Sequence, residues 1–260
     1  MDLELRGKRA LVTGASKGIG LACAEVLAAE GCDLLLAARS VSGLASAART
    51  IRERANVRID TLACDLSKSD EQKRLCAAAG PLDIVVNNAG SNPPGEIDEI
   101  PEEVWRNAWD LKVFGYINLT RYFFGVMKAQ GYGVIVNVIG NSGERMNARY
   151  ILGSAGNVSL MGLTRALGAR SPDFGVRVLA VNPGLTATDR AKFMLQGWSQ
   201  NAYGTPDRWE EFEKQMNLPF NRMGTAEEVA NVVAFLASPK AAYVSGTVVT
   251  VDGGFANRNA

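Results

Sequence analysis

The sequence predicts an α/β fold: one doubly wound domain with a seven-stranded, mostly parallel sheet and helices on both faces. Three observations predict it. Short apolar runs alternate with longer stretches whose apolar residues recur at helical spacing. Most of these runs are apolar nearly throughout, as strands covered on both faces require. No linker, repeat or low-complexity stretch divides residues 1–260, so the chain reads as a single domain.

Strands are expected at residues 9–14, 33–39, 59–65, 83–90, 133–138, 176–184 and 247–254. Helical patterns at 19–29, 102–128, 152–169 and 226–237 alternate with them and cover the two faces of the sheet. After the sixth run, residues 189–224 break the rhythm as a long irregular excursion carrying Phe193, Trp198, Tyr203, Trp209, Phe212 and Phe220. In an open α/β sheet an excursion leaving the carboxyl end of a strand lies over the ligand crevice, so this segment is expected to be a substrate lid. The alternative is a surface or oligomer-contact segment whose aromatics pack on one another.

Composition narrows the function. Apolar residues make up 47% and charged residues 21%, ordinary values for a chain that buries a core. A net charge of +1, from 28 basic and 27 acidic residues, leaves no basic stripe for nucleic acid. Neither a signal-peptide core nor an apolar run of about 18 residues is present, so a cytoplasmic chain without a membrane partner is expected. Cys23, Cys32, Cys64 and Cys76 show no CxxC spacing and read as buried apolar groups. The chain has no histidine, which removes a Ser-His-Asp triad and any imidazole metal site; no metal is expected.

The strongest local signal is TGASKGIG, residues 13–20, directly after the first strand and opening a helix. Gly14, Ser16, Lys17, Gly18, Ile19 and Gly20 would form a loop whose glycines let the backbone approach a pyrophosphate while the helix amino terminus directs N–H groups at it. A dinucleotide-binding Rossmann domain follows. The second strand ends Ala37, Ala38, Arg39, Ser40, with no carboxylate for a ribose diol. Arg39 and Lys17 instead suit a 2′-phosphate, which favours NADP(H), NAD(H) staying open.

Five motifs in order make the resemblance specific: TGASKGIG, Asp65 in ACDLS, NNAG at 87–90, the Asn182-Pro183-Gly184 turn and VDGG at 251–254. Along essentially its whole length the chain resembles the short-chain dehydrogenase/reductase family. That resemblance implies that Asp65 and Leu66 border the adenine, Asn88, Ala89 and Gly90 the adenosine side, and Pro183, Gly184, Thr186 and Thr188 the nicotinamide side. It also implies a homodimer or homotetramer assembled through the helices near 102–128 and 152–169.

The catalytic half departs from the family. Members resemble one another in an Asn, Ser, Tyr, Lys tetrad; a gapless register places Lys112 at the asparagine position, Gly140 at the serine, Gly153 at the tyrosine and Asn157 at the lysine. Lys112 and Asn157 look like partners that have exchanged helices, with independent drift as the alternative. A replacement acid/base must come from nearby: Tyr150 is the best chemical candidate, since a phenol beside cations releases its proton more readily, and Ser142 is a second. The candidate catalytic set is therefore Lys112, Ser142, Tyr150 and Asn157. Two functions are expected from it: a divergent NADP(H)-dependent oxidoreductase acting on a small apolar or aromatic carbonyl or alcohol, or a non-redox NADP(H)-binding descendant such as a lyase, isomerase or sensor.

Overall fold

Strands β1 Arg9–Thr13, β2 Asp33–Ala38, β3 Ile59–Ala63, β4 Ile84–Asn87, β5 Gly133–Val138, β6 Val176–Pro183 and β7 Val248–Val251 lie within the seven apolar runs of the sequence. The structure, a computed structural model, describes residues 1–258. Its sheet runs in the order β3-β2-β1-β4-β5-β6-β7, and every pairing is parallel, so the sheet is wholly rather than mostly parallel. The chain winds outward from β1 to β3, then returns to β4 and winds the other way. Beyond the carboxyl ends of the strands this reversal opens a crevice.

Helices α1 Gly18–Ala29, α2 Val41–Arg52 and α3 Ser69–Ala79 belong to the first half. The second half holds α4 Glu102–Trp109, α5 Gly115–Gln130, α6 Ile151–Arg170, α7 Asp189–Tyr203, α8 Trp209–Gln215 and α9 Ala226–Ala237. Successive strand residues feed opposite layers: Val12 and Leu36 pack with Leu27 and Val233, while Leu11 and Leu35 pack with Leu75 and Phe123. This is the two-faced burial that the apolar runs imply. Among the described residues no helix is long and apolar enough to cross a membrane.

Two segments differ from the sequence expectation. Residues 102–128 do not form one α-helix, because a π-helical turn at Asp110–Phe114 separates α4 from α5. The extra residue in such a turn shifts the register of the faces, and it carries Lys112 into the interior. Residues 189–224 are not irregular. Ala191, Leu195 and Ser199 bury one stripe of α7, which Thr188 caps at its start and left-handed Gly204 ends. Aromatics spread around both α7 and α8 conceal that stripe.

A buried chain of polar side chains ties the helices to the sheet. Asn87 on β4 donates to Thr120 of α5 at 3.1 Å and to Asn137 of β5 at 2.9 Å, and Asn137 donates to Thr164 of α6 at 3.0 Å. All four residues are buried. Asn137→Ala removes both of its bonds and strands a hydroxyl and an amide, so stability should fall by about 2–4 kcal/mol, read as a lower urea midpoint.

Candidate active site

At the carboxyl ends of the strands lies a cleft of about 1100 Å³. One end is built by the loop after β1. Gly14 adopts φ +67, and a Cβ there would come within 2.8 Å of the Asn88 amide. Thr13 fixes that wall: its hydroxyl donates to the Val86 carbonyl and accepts from the backbone N–H groups of Asn88 and Ala89. The start of α1 has neither a side-chain cap nor an acidic residue in its first turn, which leaves its N–H groups for an anion. Lys17 and Arg39 stand on the same wall and form no ion pair among the described residues. Uncapped N–H groups beside two unpaired cations fit the pyrophosphate and 2′-phosphate of NADP(H).

Not every residue named for the cofactor reaches the cleft wall. Gly14, Ser16, Lys17, Gly18, Ile19, Arg39, Leu66, Asn88, Ala89, Gly90, Pro183, Gly184, Thr186 and Thr188 line it. Gly20 lies behind, where a Cβ would sit 2.4 Å from Asn88 Nδ2 and the Gly14 carbonyl. Asp65 turns back on its own loop, accepting from the N–H and hydroxyl of Ser67 at 3.1 and 2.8 Å.

The other end holds Lys112, Ser142, Tyr150 and Asn157 together. Lys112 is 6% exposed, and its Nζ donates to the Val138 and Ile139 carbonyls at 2.9 and 3.1 Å and to the Tyr116 hydroxyl at 3.1 Å. Tyr116 in turn donates to Val138 at 2.7 Å. Burial first, and the positive charge of Arg190 second, push the Lys112 pKa down to about 7. Gly90 makes room for this side chain: a Cβ there would lie 2.5 Å from Lys112 Cδ.

Asn157 donates to Ser142 Oγ at 2.8 Å and to the Gly140 carbonyl at 3.3 Å. It and Lys112 therefore hold successive carbonyls of one loop, 138 to 140, and are not bonded to each other. The Oδ1 atoms of Asn157 and Asn92 are buried without a protein partner among the described residues, and both residues line the cleft. A bound group with donors would satisfy them.

Tyr150 occupies the space above Gly153. A Cβ on Gly153 would lie 2.0 Å from Tyr150 Cε1 and 2.4 Å from Cζ, so the ring stands where a side chain at 153 would begin. Arg190 Nη2 donates to the phenol oxygen at 3.3 Å and to the Asn92 carbonyl at 3.1 Å, while Nη1 donates to the Gly90 carbonyl at 2.7 Å. The sequence reading misses Arg190 and Tyr116. Tyr116 was signalled by its i+4 spacing from Lys112, and Arg190 only by being a cation two residues beyond Thr188.

The segment 189–224 starts and ends at one neck: Ala187 donates to the Gly224 carbonyl at 2.8 Å and Gly224 to that of Leu185 at 3.0 Å. From it Met194, Trp198 and Met216 line the cleft. The other aromatics do not: Phe212 packs between Tyr203 and Trp198, Lys192 sits over Trp209, and Phe193 and Phe220 face solvent.

Residues 14–256 match a family model described as Enoyl-(Acyl carrier protein) reductase. The chain is 34% identical over 255 residues to galactitol 2-dehydrogenase (L-tagatose-forming) of Cereibacter sphaeroides, covering 97% of this chain and 96% of the relative. Among solved structures it is similar to L-sorbose reductase from Gluconobacter frateurii complexed with NADPH and L-sorbose, at TM-score 0.90, 30% identity and full coverage of both chains. An actinorhodin polyketide ketoreductase variant with NADPH matches at TM-score 0.90 and 32% identity, covering 96% of this chain and 98% of that one.

Burying the Lys112 amine makes stability depend on pH. An unfolded lysine keeps its proton to about pH 10, whereas this one gives it up near 7, so between those values the unfolded chain binds more protons and rising pH favours the fold. Measured by urea unfolding, the stability of the wild type relative to Lys112→Met should therefore improve from pH 7 to pH 9, with a limiting slope of about 1 kcal/mol per pH unit.

Proposed function

The chain belongs to the short-chain dehydrogenase/reductase family, and from that premise we propose that it is an NADP(H)-dependent oxidoreductase interconverting a small apolar or aromatic carbonyl compound and its alcohol, with Tyr150 as the acid/base. The observation that carries the reading is the phenol of Tyr150 folded over Gly153, the position at which the family resemblance expects the catalytic tyrosine. A tyrosine three residues upstream, one helical turn away, reaches the same space because Gly153 leaves it empty.

When bound, the nicotinamide supplies or accepts the hydride. The protein's own work is to hold and to protonate. Tyr150 delivers a proton to the carbonyl oxygen in reduction and takes it back in oxidation, its hydroxyl oriented by the bond from Arg190. Lys112 pins the 138–139 carbonyls, its methylenes passing over Gly90. Ser142 and Asn157 form a hydrogen-bonded pair beside Gly140, where the hydroxyl can reach a substrate oxygen. The segment 189–224 acts as the lid, with Met194, Trp198 and Met216 against an apolar substrate body. Exposed Phe114, Tyr122 and Val158 on α5, α6 and the turn before α5 support assembly into a homodimer or homotetramer.

Two measurements test the reading. With a panel of aryl ketones and NADPH, followed by nicotinamide absorbance, Tyr150→Phe should lower kcat by about 10²- to 10⁴-fold while NADPH affinity is unchanged; full activity in the variant would overturn the assignment. Lys17→Ala and Arg39→Ala should each weaken NADPH binding by about tenfold or more and leave NADH binding unaltered, as expected for lost charge-assisted bonds to a 2′-phosphate.

A further inference from the structure

We propose that the substrate is an acid: a carbonyl or hydroxy compound with an apolar or aromatic body whose carboxylate is held by Arg190 and Arg145. The inference rests on the oxidoreductase reading for the carbonyl or alcohol group, but the carboxylate site is argued from charges that the reading does not use.

Charge is distributed unevenly along the cleft. Lys17 and Arg39 stand with Ser40 at the β2 end, where a 2′-phosphate is accounted for. The opposite end carries three more basic residues, Lys112, Arg145 and Arg190, and among the described residues none is ion-paired. Lys112 is spent on its three acceptors. The two arginines are not: their protein contacts hold them in place without neutralising them. Arg190 donates only to two backbone carbonyls and a phenol, which leaves Nε and one Nη1 hydrogen without a protein acceptor. Arg145 lies over the Phe255 ring at 4.4 Å and gives one bond, from Nη1, to the Phe255 carbonyl at 2.9 Å. Asp189 is the acidic residue on the wall; it opens α7 and pairs with neither arginine.

Half-buried guanidinium groups whose charge is not neutralised by the protein favour a carboxylate, which accepts charge-assisted hydrogen bonds from their remaining N–H donors. Here the seat is prepared. The arginines arrive from separate elements, the start of α7 and the loop after β5, each tethered through its own contacts. Met194, Trp198 and Met216 line the same cleft and give it an apolar wall, which strengthens charge pairing inside it. Because Arg190 also holds the Tyr150 phenol, the acid group is seated close to the carbonyl that Tyr150 protonates, so few atoms separate the two in the substrate.

The test measures binding apart from turnover. Protein saturated with NADP+, so that no anion reads the 2′-phosphate site, is titrated calorimetrically with benzoylformate, phenylpyruvate, 3-benzoylpropionate and octanoate, each beside its primary amide. At least one acid should bind about tenfold tighter than its amide. That preference should vanish in Arg190→Met and shrink in Arg145→Met, a variant clear of Tyr150, with NADP+ affinity retained in both. Amides that bind as well as their acids, or a preference that survives both substitutions, would overturn the proposal. Acid preference without NADPH oxidation of any ketone sustains the carboxylate site and removes the oxidoreductase reading; oxidation of NADPH with no acid preference does the reverse.

Discussion

The site depends on keeping one amine out of water. An isolated ammonium in a low-dielectric interior is costly, so burial draws the Lys112 pKa down to about 7 and makes an acceptor for each of its hydrogens necessary. The Val138 and Ile139 carbonyls and the Tyr116 hydroxyl are those acceptors. Their demands propagate outward. The π-helical turn aims the side chain inward, Gly90 clears the path of its methylenes, and Tyr116 sits one turn further along α5 to complete the set. The loop leaving β5 is thereby fixed at 138–139, and Asn157 continues the same work at Gly140.

On this floor stand two glycines with polar neighbours close above them. Gly140 and Gly153 leave spaces where the family resemblance expects a serine and a tyrosine, and neighbours fill them: Ser142 reaches Asn157, and the Tyr150 ring lies over Gly153. The changes are coupled. A tyrosine at 153 would meet the Tyr150 ring already standing there, so the two positions cannot both carry a ring in this arrangement. Arg190 belongs to the same set, because it ties the phenol to the loop after β4 through the Gly90 and Asn92 carbonyls.

Much of the fold was legible because its signals are local. Strands buried on both faces must be apolar throughout, and the glycine loop must follow β1, so the seven strands and the nucleotide end of the cleft can be read in order. What escaped depends on contacts distant in the chain. The π-helical turn is invisible to a periodicity argument, since residues 102–128 are apolar enough at either register. α7 and α8 were missed because aromatics serving mutual packing and the cleft mask a narrow buried stripe. Arg190 lies some hundred residues from its acceptors at Gly90 and Asn92, and no pattern along the chain links them. Asp65 and Gly20 illustrate the converse: both belong to motifs, yet one serves its own turn and the other close packing behind the wall.

The paired neck of the 189–224 segment has a consequence for how the excursion is coupled to the rest of the domain. Gly224 is hydrogen-bonded to both Leu185 and Ala187, so the segment leaves and returns at nearly the same point. Beyond this neck the excursion touches the rest of the domain at a few further points: Arg190 bonds to the Gly90 and Asn92 carbonyls, and Pro219 packs against Gly253. Because both ends of the excursion meet at one place, a change in its length leaves the register of β6 and β7 to be set by their own pairing. Arg190, rooted just past that junction, ties the excursion to the loop after β4 and to Tyr150, so a movement of the excursion is felt at the phenol.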